Sequence, residues 1–277
     1  MKNKKFKILV LADFSKSVKA VLNNTIGLAK IIDAEIDVLY VKKPTEIVDK
    51  DNQLTAMRTI NQEHFNIKKD MMNTLHPLSV DHDINIQYNL SYGNIKNEIK
   101  QYIKTNKPDI IVLGKRKQKT INLPGNNITE YVIKHFSGTI MISANDNAFE
   151  SHKKPVLGLF NNSEVTSRLM FGKELIDHSA KPLKSFRIIK NSAELKHSGN
   201  AAVQHVDEYV FEQNDNTIKN ISNYMLKNNV NLLLLERSPK STKNKTNPMM
   251  TDLKKMIHNL EVSLLLSGEK HPNLNRI

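Results

Sequence analysis

Hydrophobic and polar positions along this chain switch repeatedly between two spacings. Residues 7–11 are a nearly unbroken apolar run, the mark of a strand covered on both faces. Residues 17–32 follow with Val18, Val21, Leu22, Ile26, Ala29 and Ile32 on one helical stripe. Residues 36–41 read as the next strand. Residues 50–75 lack Gly and Pro and carry Leu54, Met57, Ile60, Phe65, Ile67, Met71 and Leu75, so they predict a long amphipathic helix. Residues 84–90 alternate as a strand, and residues 95–105 form a helix with Ile95, Ile99, Tyr102 and Ile103 on one face. A buried strand at 109–113, a helix at 128–135 and a strand at 139–143 close the first half.

A polar stretch at 145–154 leads into a second series. Strands are expected at 156–159, 184–189, 208–211, 231–235 and 262–266, with helices at 163–177, 217–227 and 251–259. Strands that alternate with helices pair in parallel through right-handed crossovers. The expected fold class is therefore α/β, with two tandem doubly wound domains at 1–147 and 148–277. The chain reads as one pattern written twice: Asp13 falls opposite Asn161, Gly114 opposite Glu236, and Pro124 and Pro248 each precede a final helix.

Composition narrows the chemistry. There is no cysteine, which removes disulfides, thiolate metal sites and cysteine nucleophiles. The ten histidines show no HxxxH or HExxH spacing, so no metal site is expected; His76 and His82 read as surface residues around a turn at Pro77. The apolar run ending at Ala12 is too short for a signal peptide or a membrane span, so a cytoplasmic protein without a membrane partner is expected. The net charge of +13 is spread over both halves, with 22 Lys/Arg against 15 Asp/Glu in 1–147 and 19 against 13 in 148–277. Basic loops follow the fourth strand of each half: Lys115, Arg116, Lys117 and Lys119 in one, Arg237, Lys240, Lys243 and Lys245 in the other. They form two rims that attract polyanions. No aromatic residues interleave with them, so nucleic acid is not the expected partner. Ser15 and Ser163 read as helix N-caps, and the pairs Met71-Met72 and Met249-Met250 as packing residues.

In an open parallel sheet a ligand sits beyond the carboxyl ends of the strands, where strand order reverses. Here that places Ala12 and Asp13 beside Gly114 and Lys115, with the helix beginning near Asn127 offering its amino end to an anion. The segments 8–15, 34–41, 109–114 and 125–136 resemble a universal stress protein domain, and two such domains in one chain resemble the tandem members of that family. The resemblance covers most of 5–145 well and 154–267 weakly. It implies a five-stranded parallel sheet of order 3-2-1-4-5 in each domain, intramolecular pairing of the domains through their last strands, and a possible further homodimer.

Some members of the family bind ATP through the acid after strand one, the residue ending strand two and a loop of form G-x2-G-x9-G-[S/T]. Carried over, these are Asp13, Val41 and Gly114. Lys117 stands where the second glycine is expected, and the final pair falls on Gly125-Asn126 or Asn126-Asn127, without the Ser/Thr. The resemblance therefore implies ATP or AMP in the first domain, held with Lys115 and Lys117, and no catalytic residue. A non-catalytic regulatory or partner-binding module is the leading expectation. A slow ATP hydrolase and a polyanion-binding protein are the alternatives.

Overall fold

The computed structural model describes residues 5–14, 17–43, 53–115, 127–145, 153–161, 165–190, 206–237 and 248–268. The chain divides into two compact units, Met1–Phe136 and Ser137–Ile277.

The first unit runs β1 (Phe6–Leu11), α1 (Val18–Ile32), β2 (Ala34–Lys42), α2 (Gln53–His82), β3 (Ile86–Tyr92), α3 (Ile95–Asn106), β4 (Ile110–Gly114) and α4 (Ile128–His135). Its strands lie in the order β3-β2-β1-β4, all parallel. Ile8, Leu9 and Val10 are buried, as are Ile110, Ile111 and Val112 beside them. This two-sided burial explains the unbroken apolar runs. The elements have identifiable ends. Asp33 and Lys107 close α1 and α3 in the left-handed region at φ 50° and 48°. The side chain of Asn94 accepts from the amides of Lys96 and Asn97 to open α3, and Asn127 accepts from Glu130 to open α4. Ser17, not Ser15, sits at the N-cap of α1, and its side chain does not cap the helix; Ser15 lies outside the described residues.

The second unit contains β5 (Thr139–Ser143), β6 (Leu157–Phe160), α5 (Val165–Arg168), α6 (Gly172–Asp177), β7 (Leu183–Ile189), β8 (Val206–Glu212), α7 (Thr217–Lys227), β9 (Leu232–Leu235), α8 (Pro248–Asn259) and β10 (Ser263–Leu266). Its strand order is β5-β10-β9-β6-β7-β8. All pairs are parallel except β5 with β10, which is antiparallel. Phe171 and Phe186 are the largest fully buried side chains of this unit.

Several expectations change. The long helix continues to His82 and holds Pro77 within it, so His76 and His82 lie on a helix and not around a turn. Phe65 faces outward, off the buried stripe of Ile67, Met71 and Leu75, and Met72 is exposed as well. The single helix expected over 163–177 is two short helices. Gly172 marks the break: a Cβ there would stand 1.9 Å from the carbonyl oxygen of Thr166, so the backbone approaches too closely for a continuous helix. Pro248 opens α8 as its first residue, where a missing amide costs nothing. Pro124 and Ser163 lie outside the described residues.

Candidate functional site

In the first unit β1 is the strand at which order reverses, since it pairs with β2 on one side and β4 on the other. The register aligns Leu11 with Leu39 and with Leu113. Ala12 and Gly114 therefore leave the sheet side by side, and the amide of Ala12 donates to the carbonyl of Leu39 at 3.1 Å. Val41 lies two residues beyond Leu39 on β2, and Asp13 two residues beyond Leu11, the partner of Leu39. Asp13 is exposed, while Ala12, Val41, Gly114 and Lys115 are half-buried. The structure thus brings Ala12, Asp13, Val41, Gly114 and Lys115 to one end of the sheet. Asn127 is placed at the amino end of α4, its side chain used as the helix cap. Lys117, Gly125 and Asn126, with Arg116 and Lys119, lie outside the described residues.

Gly114 has a packing reason as well. A Cβ there would fall 2.9 Å from Cγ2 of Val21, a buried residue of α1. The strand end thus carries only a methyl group at Ala12 and no side chain at Gly114, where Val21 takes the place that a Cβ would fill.

Further residues gather at this end of the sheet. Phe14 takes φ 47°, an unusual conformation for an aromatic residue. Its ring meets Tyr40 edge-on with centroids 5.4 Å apart. Lys42, the last residue of β2, forms an ion pair with Glu63 of α2. Tyr92, paired with Lys42 across the β2–β3 ladder, tilts against His64 at 5.7 Å. The Tyr92 hydroxyl is buried without a hydrogen-bond partner among the described residues. Burial pushes its pKa up; Lys42 opposes the shift, and Glu63 and Tyr40 add to it. Tyr40 and Tyr92 were the available signal, as aromatics at strand ends, but only the fold puts Phe14, Glu63 and His64 beside them. A separate shallow cleft lies between the sheet and α3, lined by Leu39, Ser91, Glu98 and Tyr102 among others.

The second unit shows what the same end looks like when filled. The carboxamide oxygen of Asn231 accepts from the amide of Val156, as the carboxylate of Asp109 accepts from Lys7. These matching bonds equate Val156 with Lys7, and therefore Asn161 with Ala12. The amide of Asn161 donates to Phe186 just as that of Ala12 donates to Leu39. The match of Asn161 to Asp13 is thus corrected by one residue, and the position equivalent to Asp13 is Asn162, outside the described residues. Strands buried on both faces have no polar alternation to fix their alignment, which is why the sequence slips here. Gly114 does correspond to Glu236, since Leu113 and Leu235 hold the same register.

In the second unit both slim positions carry side chains. Asn161, at φ 53°, turns its oxygen onto the amide of Ile188 at 2.9 Å. Glu236 forms an ion pair with Arg168 of α5. Arg237, expected on a basic rim, is instead 6% exposed and donates to the carbonyl of Gly138 at 3.2 Å. Its guanidinium is turned inward, onto the half-buried Gly138. Lys240, Lys243 and Lys245 lie outside the described residues.

Comparison with known proteins agrees with this architecture. The family model described as "Universal stress protein family" matches residues 6–143. Among solved structures, a universal stress protein from Archaeoglobus fulgidus DSM 4304 superposes with a TM-score of 0.65 at 15% identity, over 95% of this chain and 98% of that one. Universal stress protein UspA from Lactobacillus plantarum matches 51% of this chain and 99% of its own at 22% identity, TM-score 0.42. A universal stress protein family protein from Arabidopsis thaliana with AMP bound matches 50% of this chain and 90% of its own at 14% identity, TM-score 0.35. No curated protein matches the chain. With the parallel sheet reversing order at β1 and the family match over β1 to β5, the chain belongs to the universal stress protein family.

Proposed function

We propose that this protein is a non-catalytic regulatory or partner-binding module of a stress response, and that its first unit takes an adenine nucleotide, ATP or AMP, at the carboxyl end of β1 and β4. The observation that carries the nucleotide reading is the contrast between equivalent positions. Ala12 and Gly114 leave the first strand end slim, while Asn161 and Glu236 fill the second with side chains that bond within the unit. Asp13, with Val41 at the same end of the sheet, suits a ribose or base edge; Lys115 and Lys117 suit phosphate charge. Asn127, Gly125 and Asn126 belong to the loop and helix start that would approach the phosphates. The second unit then acts as a scaffold.

Cytoplasmic location, pairing of the two domains and a further homodimer belong to the same reading. They are supported by the cysteine-free sequence and by the family. Slow hydrolysis would need a base beyond Asp13 at this end. Polyanion binding loses Arg237, which is buried.

The test is to denature the purified protein and look for released nucleotide by absorbance and mass, then to follow thermal unfolding with added ATP and AMP. Nucleotide at a hundred times its dissociation constant stabilises by about 2.7 kcal/mol. The expected result is a rise in Tm with the native protein and none with Asp13→Ala. A clean apoprotein whose Tm ignores both nucleotides would overturn the nucleotide site.

A further inference from the structure

The outer face of α2 turns three large apolar side chains to solvent: Phe65 at 63% exposure, Met72 at 53% and Val80 at 65%. The inner face of the helix is already occupied by Ile67, Met71 and Leu75, all buried in the first unit. The three outer residues therefore contribute little to that core. Fifteen residues separate Phe65 from Val80, about 22 Å along the helix. At about 100° per residue the three fall within an arc of ~80°, so they form one line and not a scatter.

Between Arg58 and His76 the charges on that face have one sign. Arg58, Lys68, Lys69 and His76 are all exposed and lie within about 60° of Phe65 around the helix. The acids of this stretch, Asp70, Glu63 and Asp81, lie about 140° to 160° away. From Arg58 to His76 one face thus combines apolar side chains with basic charges alone; Asp83, past the helix end, lies beside Val80.

Three occupants are conceivable, and the face discriminates among them. A second copy docked on the same face would bring Lys68 and Lys69 against their own kind, and like charges repel. A protein partner draws affinity from anchors that enter pockets, whereas these side chains project from a convex helix. A lipid surface needs no groove. It takes projecting apolar side chains at the boundary of headgroups and acyl chains, and anionic headgroups attract the flanking Lys and Arg. The net charge of +13 favours the same approach at long range. We infer that the outer face of α2 is a peripheral contact for anionic membrane surfaces. No helix among the described residues is long and apolar enough to cross a membrane; lying on a membrane is a different mode from crossing it.

The experiment uses the full chain and sedimentation with vesicles, one set of phosphatidylcholine alone and one of phosphatidylcholine mixed with phosphatidylglycerol, each at low and high salt. The expected result is binding to the mixed vesicles only, lost at high salt. Changing Lys68→Ser with Lys69→Ser weakens partition about fivefold for each basic residue removed. Changing Phe65→Ser with Met72→Ser weakens it at constant charge. All four residues are exposed, so an unchanged Tm confirms that the variants fold. Absence of binding to mixed vesicles, equal binding to both sets, or binding that neither variant alters each overturns the inference. So does dimerisation of the native protein in light scattering that Phe65→Ser with Met72→Ser abolishes while vesicles stay unbound, since a second copy is then the occupant.

Discussion

Replacing Asn161 separates the two jobs that this side chain performs at the end of β6. Its oxygen accepts from the amide of Ile188 at 2.9 Å, and its backbone sits at φ 53°. Alanine removes the acceptor, a loss of about 0.5–1.5 kcal/mol. It also leaves at φ 53° a residue without the short polar side chain that eases asparagine into the left-handed region, at a further cost of ~1 kcal/mol. The expected destabilisation for Asn161→Ala is about 2 kcal/mol. Glycine removes the acceptor but tolerates the backbone, so Asn161→Gly costs about 1 kcal/mol. Aspartate keeps an oxygen in place and accepts positive φ, so Asn161→Asp falls within ~0.5 kcal/mol of the native protein. Equilibrium urea unfolding followed by circular dichroism measures all three, with the slope of the transition unchanged. Equal losses for alanine and glycine would refute the backbone contribution. A loss with aspartate as large as that with alanine would refute the hydrogen bond, and with it the view that this strand end is closed from within.

Two further outcomes follow from the first unit. Gly114→Ala places a methyl group 2.9 Å from Val21 Cγ2 in a packed region and destabilises by about 1–3 kcal/mol, read by the same urea titration; a change below ~0.5 kcal/mol would show that α1 yields freely there. Tyr102 has its pKa pushed up to about 12, first by burial and then by the charge of Asp37, whose carboxylate accepts from the Tyr102 hydroxyl at 3.2 Å. A raised pKa means that the folded state holds its proton where the unfolded state has lost it. This contribution to stability is complete below about pH 10 and falls as pH rises towards 12. Ultraviolet titration of the phenolates shows a step at about pH 12 that Tyr102→Phe removes; a native protein whose tyrosines all titrate near pH 10 would contradict it.

The legibility of this chain varied with what each pattern could encode. Helix 128–135 and strand 139–143 were read to the residue, because Asn127 caps the first and an isolated apolar run marks the second. The long helix was read short at its carboxyl end because Pro77 looked like a stop, yet the helix continues to His82. The break at Gly172 was missed because its cause is a backbone contact with Thr166, which has no periodic signature. At the site, Asp13 and Gly114 were visible as residues leaving apolar strands. Phe14, Glu63 and His64 were not, since they reach that end from a loop and from a separate helix.

The sequence by itself determined the alternation of strands and helices, which follows from hydrophobic period and turn residues; the strand order that makes β1 the switch point is set by the ladder. Tertiary structure decided which residue of one repeat answers to which residue of the other. Strands buried on both faces lack the alternation that would fix their register, so only the backbone ladder and the paired bonds of Asp109 and Asn231 settle it. Tertiary structure also decided which apolar residues of α2 face outward. A 30-residue helix carries apolar residues on more than one side, and the buried side is set by what packs against it.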